Sequence, residues 1–349
     1  MRLVMTLWVR NEADILDANI AFHLNAGVDF VIATDNGSDD GTLDILDGYQ
    51  RRGVLHRIDD PAFSQVDAVT RMARLAATEL GADWVINNDA DEFWWPRGGS
   101  LTDVLAAVPE RFGCVRGMWR HFVARPATAD FFAEGMTVRL RRSVTDRDHA
   151  FNAHFKTAHR ADPEVTVGGG NHEAYGRDLI PLRNWYPIEV LHFPLRSLEQ
   201  CERKFVHRAI TELQTPRPPD PRRMEAYEAY RDGRLHEFYD SHVVGDLELE
   251  QGLRSGMLAI DVRLREALRA LRTTRGEDGL EFRLPPDAPP LTFLNPDVDE
   301  SDVAEIATLG EADELVRLQR RIQRLEARMS ARHTAVPARL RSMRARASG

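Results

Sequence analysis

The N-terminal part of the chain alternates short apolar runs with longer segments whose apolar residues recur every three or four positions. The runs "RLVMTLWV", "VDFVIATD", "VLHRID" and "DWVINND" predict strands. Between them, "DILDANIAFHLNAG", "GTLDILDGYQRRG" and "QVDAVTRMARLAATELGA" have a helical period, and the first two end at a glycine. This βαβαβαβ order predicts an α/β fold with a mostly parallel, Rossmann-like sheet and helices on both faces.

The pattern becomes less regular after Pro96. We predict strands at "CVRGMWRHFV", "MTVRLRRSV", "HFKTAHR" and "IEVLHFPL", then a helix at "LEQCERKFVHRAITELQ". The Pro-rich break "TPRPPDPRR" precedes helices at "MEAYEAYRDG" and "MLAIDVRLREALRALR". We therefore predict an α/β domain over residues 1–215, with halves 1–96 and 97–215, and a helical C-terminal extension over 216–310.

The last segment, residues 311–349, is rich in arginine. It has ten Arg and no Lys against four acids, and Leu315, Leu318, Ile322, Leu325 and Met329 form a short heptad seam. Three interpretations stay open: an amphipathic helix packed on its own domain, a coiled coil that makes a homo-oligomer, or a basic tail that meets anionic surfaces.

Composition narrows the function classes. The formal net charge of -9 argues against general nucleic-acid binding. The two Cys fit no zinc or redox spacing, and no apolar run reaches the roughly 18 residues of a membrane span. We expect a soluble cytoplasmic protein without a signal peptide, with association at the inner face of the membrane as an alternative.

Acidic residues follow the apolar strands at the predicted carboxyl edge of the sheet, where ligands of such sheets bind. Asp89 and Asp91 end the run "WVINND", and paired carboxylates there predict a site for Mn²⁺ or Mg²⁺ that would assist a departing diphosphate. Asp35 ends the second strand and can accept hydrogen bonds from a nucleobase or ribose. The structural alternatives are a solvated turn for the pair and an Asx-turn for Asp35.

A family resemblance rests on these motifs. The stretch "WVRNEADILDANIAFHLNAGVDFVIATDNGSDDGTLDIL" and the later "NNDADEFW" resemble the family 2 glycosyltransferases, in particular a bacterial subgroup with an "RNE" opening and a D-x-D-E-F segment. The resemblance covers roughly residues 1 to 210, with four separated motifs in the expected order. It implies a GT-A fold, a nucleotide-sugar donor and a divalent metal, with the nucleotide-binding half in residues 1–96 and the acceptor half in 97–215.

The resemblance also implies roles for individual residues. Asn11 and Glu12 would line the nucleotide pocket, and Asp35 would contact the base or ribose, with Asp40 in the second acidic position of that loop. Asp89 and Asp91 would form the metal and diphosphate site.

Fainter matches in the second half suggest further site residues. "VLHFPLRSLEQCERK" places His192 at a strand end, where it is a candidate third metal ligand or else a core histidine. Arg196 and Lys204 are candidates to face the donor phosphates, or are solvated cations. In "GGGNHEAYG", Glu173 is the candidate general base, with His172 as an alternative base or acceptor contact; the "E-D" pair usual in the family is absent in that form, so base and stereochemistry stay open.

Aromatic residues offer surfaces on which sugar rings can stack. Trp94 and Trp95 follow the acidic loop, and Trp185 lies near the second-half motifs; core packing is the alternative for each. The predicted function is transfer of a sugar from a UDP- or GDP-linked donor to a glycan or lipid-linked acceptor, as in polysaccharide biosynthesis. A non-catalytic carbohydrate-binding or scaffold protein, a nucleotidyltransferase and a phosphatase are the alternatives.

Overall fold

The computed structural model describes residues 1–61, 64–126, 131–142, 155–183, 185–215 and 219–272, together with Phe293, Leu318, Ile322 and Leu325. The chain divides into one compact unit of residues 1–144 and 154–297, and a second of residues 145–153 and 298–349. In the second unit the described residues are Leu318, Ile322 and Leu325, which are helical and exposed. The rest of the predicted heptad seam lies outside the described residues.

The first half alternates strands and helices in the predicted order. The elements are β1 (Leu3–Val9), α1 (Leu16–Ala26), β2 (Phe30–Asp35), α2 (Thr42–Arg51), β3 (Leu55–Asp59), α3 (Gln65–Thr78) and β4 (Trp84–Asn88). Helix α1 ends at Gly27, whose φ of 117° suits a residue without a side chain.

The second half adds short strands and then helices. The elements up to the last long strand are β5 (Glu92–Pro96), α4 (Leu101–Ala106), β6 (Cys114–His121), α5 (Phe132–Gly135), β7 (Val138–Leu140), β8 (Phe155–Arg160), β9 (Thr166–Val167), β10 (Ala174–Tyr175) and β11 (Ile188–His192). A continuous helical stretch follows as α6 (Leu198–Cys201), a π-helical segment (Glu202–His207) and α7 (Arg208–Glu212). The remaining elements are α8 (Pro221–Arg231), α9 (Leu235–Asp240), α10 (Asp246–Ser255), β12 (Leu258–Ile260) and α11 (Arg263–Arg272).

Eight strands form one sheet in the order β3-β2-β1-β4-β8-β6-β11-β5. The pairs β3-β2, β2-β1, β1-β4 and β6-β11 are parallel, whereas β4-β8, β8-β6 and β11-β5 are antiparallel. The predicted α/β fold with a mostly parallel sheet is therefore confirmed, and the antiparallel pairs belong to its second half.

Alternate residues of the strands face two apolar layers. Leu3, Met5 and Leu7 of β1 belong to one apolar cluster, which also contains residues of α1, α2, α4 and α11. Val4 belongs to a second cluster, which contains residues of α3. Helices thus cover both faces, as predicted. No helix among the described residues combines the length and apolar character that a membrane span requires.

One predicted helix was too long at its start. The segment from Met257 was expected to be helical, but Leu258–Ile260 form β12, which pairs antiparallel with β7, and the helix begins at Arg263. A strand partner more than a hundred residues away in sequence outweighs the local helical period here. The Asp261 carboxylate accepts a hydrogen bond from the Arg263 backbone N–H at 3.2 Å and marks the helix start.

Candidate active site

The topology brings polar residues from five strands to one edge of the sheet. The carboxyl ends of the parallel strands β1 and β4 lie at this edge, and so does the end of β11, where His192 is in register with Glu92 at the start of β5. Lys156 enters the same edge from β8, which runs antiparallel to β4. These residues line a cavity of about 350 Å³, which is a size typical of small-molecule sites.

Side chains of helix α1 hydrogen bond the acidic loop, residues 88–92, and the strand that follows it. The buried Asn19 amide donates to the carbonyl oxygens of Ala90 at 2.9 Å and Glu92 at 2.7 Å, and its side-chain oxygen accepts from Asn88 at 3.1 Å. One turn later, His23 Nε2 accepts the backbone N–H of Trp94 at 3.1 Å. The loop that carries Asp89, Asp91 and Glu92 is thus fixed by a buried polar network that its own sequence does not reveal.

Asp89 is fully engaged by protein groups. Its Oδ2 lies 2.5 Å from Lys156 Nζ, and its Oδ1 accepts from Asn171 at 3.0 Å and Gln65 at 3.3 Å. Lys156 Nζ also lies 3.0 Å from Glu92 Oε1 and donates to the carbonyl oxygen of Gly170 at 2.7 Å. Burial disfavours the Lys156 charge, but Asp89 and Glu92 outweigh it and raise the pKa of this lysine.

Asp91 faces two groups of the second half. Its Oδ2 lies 3.6 Å from His192 Nε2 and also contacts Lys204 Nζ. Burial opposes ionisation, yet Lys204 and His192 hold the pKa of Asp91 well below its usual range. Burial lowers the pKa of His192, which keeps the imidazole neutral and able to bind a metal.

Glu92 is a buried carboxyl whose two oxygens differ. Oε1 lies 2.9 Å from the indole nitrogen of Trp119 and 3.0 Å from Lys156 Nζ, whereas no described residue donates a hydrogen bond to Oε2. Burial raises the pKa of Glu92 to about 8, with Lys156 opposing and the charges of Asp89 and Asp91 adding to the rise. A buried oxygen without a donor is suited to a cation, whose charge would favour the ionised carboxylate and so lower this pKa.

Asp91, Glu92 and His192 fit a divalent metal. Their ligand atoms all lie within 4.8 Å of one another. Glu92 Oε2 and His192 Nδ1 have no hydrogen-bond partner among the described residues, and the His192 ring stacks on Trp119 with centroids 4.2 Å apart. Carboxylate oxygens and one neutral imidazole form a ligand set that Mn²⁺ accepts. The sequence predicted Asp89, Asp91 and His192 as the metal ligands, whereas the cluster of ligand atoms in the structure is formed by Asp91, Glu92 and His192.

Several cationic side chains line the same cavity as these acids. The π-helical segment and α7 present Arg203, Lys204, His207, Arg208 and Thr211 to the cavity. Arg10 and Arg223 line it as well. Short π-helical segments often occur at functional sites. Guanidinium and ammonium groups beside a metal site are the groups that bind phosphate oxygens.

The end of β1 is joined to the β2 loop by hydrogen bonds. Asn11 has a left-handed backbone with φ 55°. Its side-chain amide donates to the Asp39 carboxylate, and its side-chain oxygen accepts the Asp39 backbone N–H. The Asn11 backbone N–H donates to the Ser38 hydroxyl oxygen. Asp40 accepts from the backbone N–H groups of Thr42 at 2.8 Å and Ala13 at 3.2 Å. Asn11 lines the cavity, whereas Asp40 braces the loop beside it.

Asp35 and Arg196 are not among the residues that line the cavity. Asp35 Oδ2 accepts from the N–H groups of Gly37 and Ser38, and no described residue donates to its buried Oδ1. Arg196 lies 2.6 Å from both Glu12 and Asp14, and so holds Glu12 in the cavity wall.

Of the three predicted acceptor-side residues, His172 lines the cavity and Glu173 and Trp185 do not. His172 lines the cavity, and its Nδ1 lies 2.7 Å from the Phe155 carbonyl oxygen. Glu173 is outside the cavity lining, and its carboxylate accepts a hydrogen bond from the Tyr175 hydroxyl. Trp185 is exposed and also lies outside that lining.

The rings of Trp94 and Trp95 pack in the core. The Trp94 indole nitrogen donates to Asn88 at 3.0 Å, and Trp95 contacts Phe22 and Phe293. The tryptophans among the residues that line the cavity are Trp8 and Trp119. Lys156 and Arg208 likewise carry no sequence signal, because a strand lysine or a helix arginine is usually solvated.

Comparisons with known proteins give low similarity. No protein-family model and no curated protein matches the chain. Among solved structures, residues 1–349 of Staphylococcus aureus TarS match with 13% identity and a TM-score of 0.34, covering 85% of this chain and all of that one. Glucosyl-3-phosphoglycerate synthase from Mycobacterium tuberculosis, with Mn²⁺, UDP and phosphoglyceric acid, matches with 20% identity and a TM-score of 0.26 over 34% of this chain.

The lengths covered also differ. The chain spans 43% of a longer TarS structure and 43% of the synthase structure. A third match is 4-diphosphocytidyl-2C-methyl-D-erythritol synthase, with 12% identity and a TM-score of 0.28 over 46% of this chain and 75% of that one. At these TM-scores the matches carry no argument about function, which must come from the site itself.

Proposed function

We propose that this chain is a metal-dependent glycosyltransferase, which moves a sugar from a nucleoside-diphosphate donor to a hydroxyl group of a glycan or lipid-linked acceptor. The observation that carries the proposal is that one cavity holds two kinds of group. Asp91, Glu92 and His192 are ligands for a cation, and arginines and a lysine can bind anionic oxygens. A metal-bound diphosphate matches both kinds of group at once.

The metal, when bound by Asp91, Glu92 and His192, would neutralise negative charge on the departing diphosphate. Arg10, Arg203, Arg208 and Arg223, which line the same cavity, would bind the remaining phosphate oxygens. In this proposal Asp89 stands beside the metal and positions Lys156, whose ammonium it contacts at 2.5 Å.

The nucleoside would lie against the ends of β1 and β2. Asn11 and Glu12 line the cavity, and the acceptor oxygen Oδ1 of Asp35 has no donor among the described residues. A ribose hydroxyl or a base N–H would supply that hydrogen bond. Asp40 would act indirectly by holding the loop that Asn11 contacts. The parallel order β3-β2-β1-β4 supports the GT-A fold that the sequence motifs imply.

We propose His172 as the group that takes the proton from the acceptor hydroxyl. Donation from Nδ1 to the Phe155 carbonyl makes Nε2 the basic nitrogen of the neutral ring. The ring also lies edge-on to Trp119, with centroids 5.8 Å apart. Trp119 is our choice for the surface against which a sugar packs, since Trp94 and Trp95 are buried. Glu173 and Trp185 stay as alternatives on the acceptor side.

The experiment is a panel of UDP- and GDP-linked sugars, incubated with the protein and Mn²⁺ or Mg²⁺, in which released nucleoside diphosphate is measured. Asp91→Asn should abolish metal-dependent nucleotide binding, which calorimetry measures. Asp44→Asn is the matched control, because Asp44 is an exposed residue of α2 that loses the same charge. If no donor turns over and no nucleotide binds in a metal-dependent way, the enzyme proposal is wrong and a non-catalytic role is favoured.

A further inference from the structure

Two lysines contact the acidic loop, and their surroundings differ. Lys156 has a side chain 2% exposed, and its ammonium meets three acceptors on Asp89, Glu92 and Gly170. Three acceptors satisfy all the donors of an ammonium group. Lys204 has a side chain 28% exposed and contacts Asp91 Oδ2, and the described residues give its ammonium no second hydrogen-bond acceptor. Lys156 is therefore fixed, whereas Lys204 is held at one point.

The single contact of Lys204 falls on the metal-binding set. Asp91 Oδ2, the oxygen that Lys204 contacts, is also the oxygen 3.6 Å from His192 Nε2. A divalent ion shared by Asp91 and His192 would approach the same oxygen. The ammonium and the metal therefore compete for one position.

We propose that Lys204 holds the place of the divalent cation beside Asp91 in the metal-free protein, and that metal binding displaces its ammonium onto the donor diphosphate. This inference rests on the proposed function, because it concerns the same site. It assigns Lys204 two successive partners, a carboxylate before the metal binds and phosphate oxygens afterwards.

Burial explains why Asp91 needs a substitute cation. A carboxylate removed from water without a charged partner is strongly disfavoured. The other buried cations nearby have their own acids, because Arg196 pairs with Glu12 and Asp14, and Lys156 pairs with Asp89 and Glu92. Lys204 is left to neutralise Asp91.

The position of Lys204 suits the second partner as well. It lies on the π-helical segment whose cavity face continues into His207, Arg208 and Thr211. A lysine side chain has a flexible four-carbon stem, so its ammonium can move while its backbone stays in place. The same stem that reaches Asp91 can turn toward anionic oxygens bound by the neighbouring arginine.

The exchange predicts that metal and nucleotide help each other to bind. The metal releases Lys204 from Asp91, and the released ammonium then binds the diphosphate. By reciprocity, a bound nucleoside diphosphate that retains Lys204 removes the competitor of the metal. Without Lys204 the metal meets no competitor, but the diphosphate loses one cation.

The test measures Mn²⁺ binding by calorimetry without nucleotide, for the wild type, Lys204→Met and Arg254→Met. Arg254 is the matched control, because it is an exposed cation of α10 that pairs with Glu250 and does not line the cavity. We expect Lys204→Met to bind Mn²⁺ at least about fivefold more tightly, as for a typical coupling between sites. Arg254→Met should stay within about twofold, the scale of a screened surface charge. Lys204→Arg keeps the charge and should bind Mn²⁺ like the wild type.

The second measurement is binding of UDP and GDP at saturating Mn²⁺. Lys204→Met should bind the preferred nucleotide at least about tenfold more weakly, which corresponds to the loss of one charge-assisted hydrogen bond. The opposite signs of the two effects are the signature of the exchange, since a misfolded variant would lose both affinities.

Equal or weaker Mn²⁺ binding by Lys204→Met would overturn the exchange and leave the metal site of the proposed function intact. A wild type and variants that bind neither Mn²⁺ nor nucleotide would overturn the exchange and the proposed function together. Tighter Mn²⁺ binding with unchanged nucleotide affinity would refute the transfer of the ammonium to the diphosphate.

Discussion

Asn19 is the residue whose loss should most directly loosen the acidic loop. Its side chain is fully buried in α1, donates to the carbonyl oxygens of Ala90 and Glu92, and accepts from Asn88. Asn19→Ala removes all three bonds. Glu92 keeps a bond from Asn88 at 3.2 Å, so about two buried groups lose their partner. At about 1 to 3 kcal/mol for each such group, we expect a loss of about 3 kcal/mol in the free energy of unfolding.

Urea unfolding measures this loss, and Asn25→Ala is the matched control. Asn25 lies in the same helix and donates to the carbonyl oxygen of Ala21, so its replacement should cost about 1 kcal/mol or less. Because Ala90 directly precedes the proposed metal ligand Asp91, Asn19→Ala should also weaken Mn²⁺ binding by about tenfold, as supporting residues of metal sites do. If the two variants unfold alike and bind Mn²⁺ like the wild type, the loop is not held by α1 and the reasoning is wrong.

Three further predictions concern acid stability, the base and the C-terminal segment. Burial lowers the pKa of His23 to about 4 from 6.5, so the folded state favours the neutral ring. The contribution of His23 to the free energy of unfolding is therefore complete above pH 6.5 and is lost as the pH falls toward 4. Wild type should then lose about 3 kcal/mol more than His23→Gln between pH 7 and pH 4 in urea unfolding, and equal losses would contradict the assignment. His172→Ala should keep metal-dependent nucleotide binding and lose sugar transfer, whereas Glu173→Ala should keep both; the reverse pattern would favour Glu173 as the base. Deletion from Leu315 onward should leave turnover nearly intact and lower the number of subunits per particle, which light scattering measures. An unchanged number of subunits would remove the coiled-coil interpretation.

The N-terminal half of the fold followed from the sequence because its partners are close along the chain. Strands β1, β2 and β4 are nearly continuous apolar runs, since helices cover both faces of the sheet. The helical periods between them are long enough to be distinguished from strands. The second half contains strands of two or three residues, such as β12, whose pairing depends on a partner far away in sequence. Local pattern carries little information about such pairings.

The sequence predicted a site at this edge of the sheet, where the structure has a polar cavity, but the roles of its acids depend on side-chain partners. The sequence placed Asp89, Asp91 and Glu92 together without showing which of them meets a lysine. Lys156 enters from β8, 67 residues after Asp89, and occupies that carboxylate. His192 was proposed from sequence because an apolar strand ends at it, and the register with Glu92 then follows from the β11-β5 pairing. Partners from distant strands cannot be assigned from one loop.

The aromatic residues after the loop show the same limit. Their place directly after the acidic loop suggested that Trp94 or Trp95 would meet the cavity. Both are buried, because β5 packs against β11 along its edge and contributes to the core through Phe93, Trp94 and Trp95 alike. Trp8 and Trp119 line the cavity instead, and Trp119 on β6 hydrogen bonds Glu92 and stacks on His192.

The contacts around the loop separate what is rigid from what can move. Asn19 holds its backbone, and Lys156 holds Asp89 and one oxygen of Glu92. These are buried groups with several partners each, so a ligand has little to gain by displacing them. The remaining contact is between Asp91 and the partly exposed Lys204, whose ammonium has no second acceptor among the described residues. In the exchange proposed above, a divalent ion with two positive charges would replace this one ammonium, so the site would be stable without the metal and would still accept it.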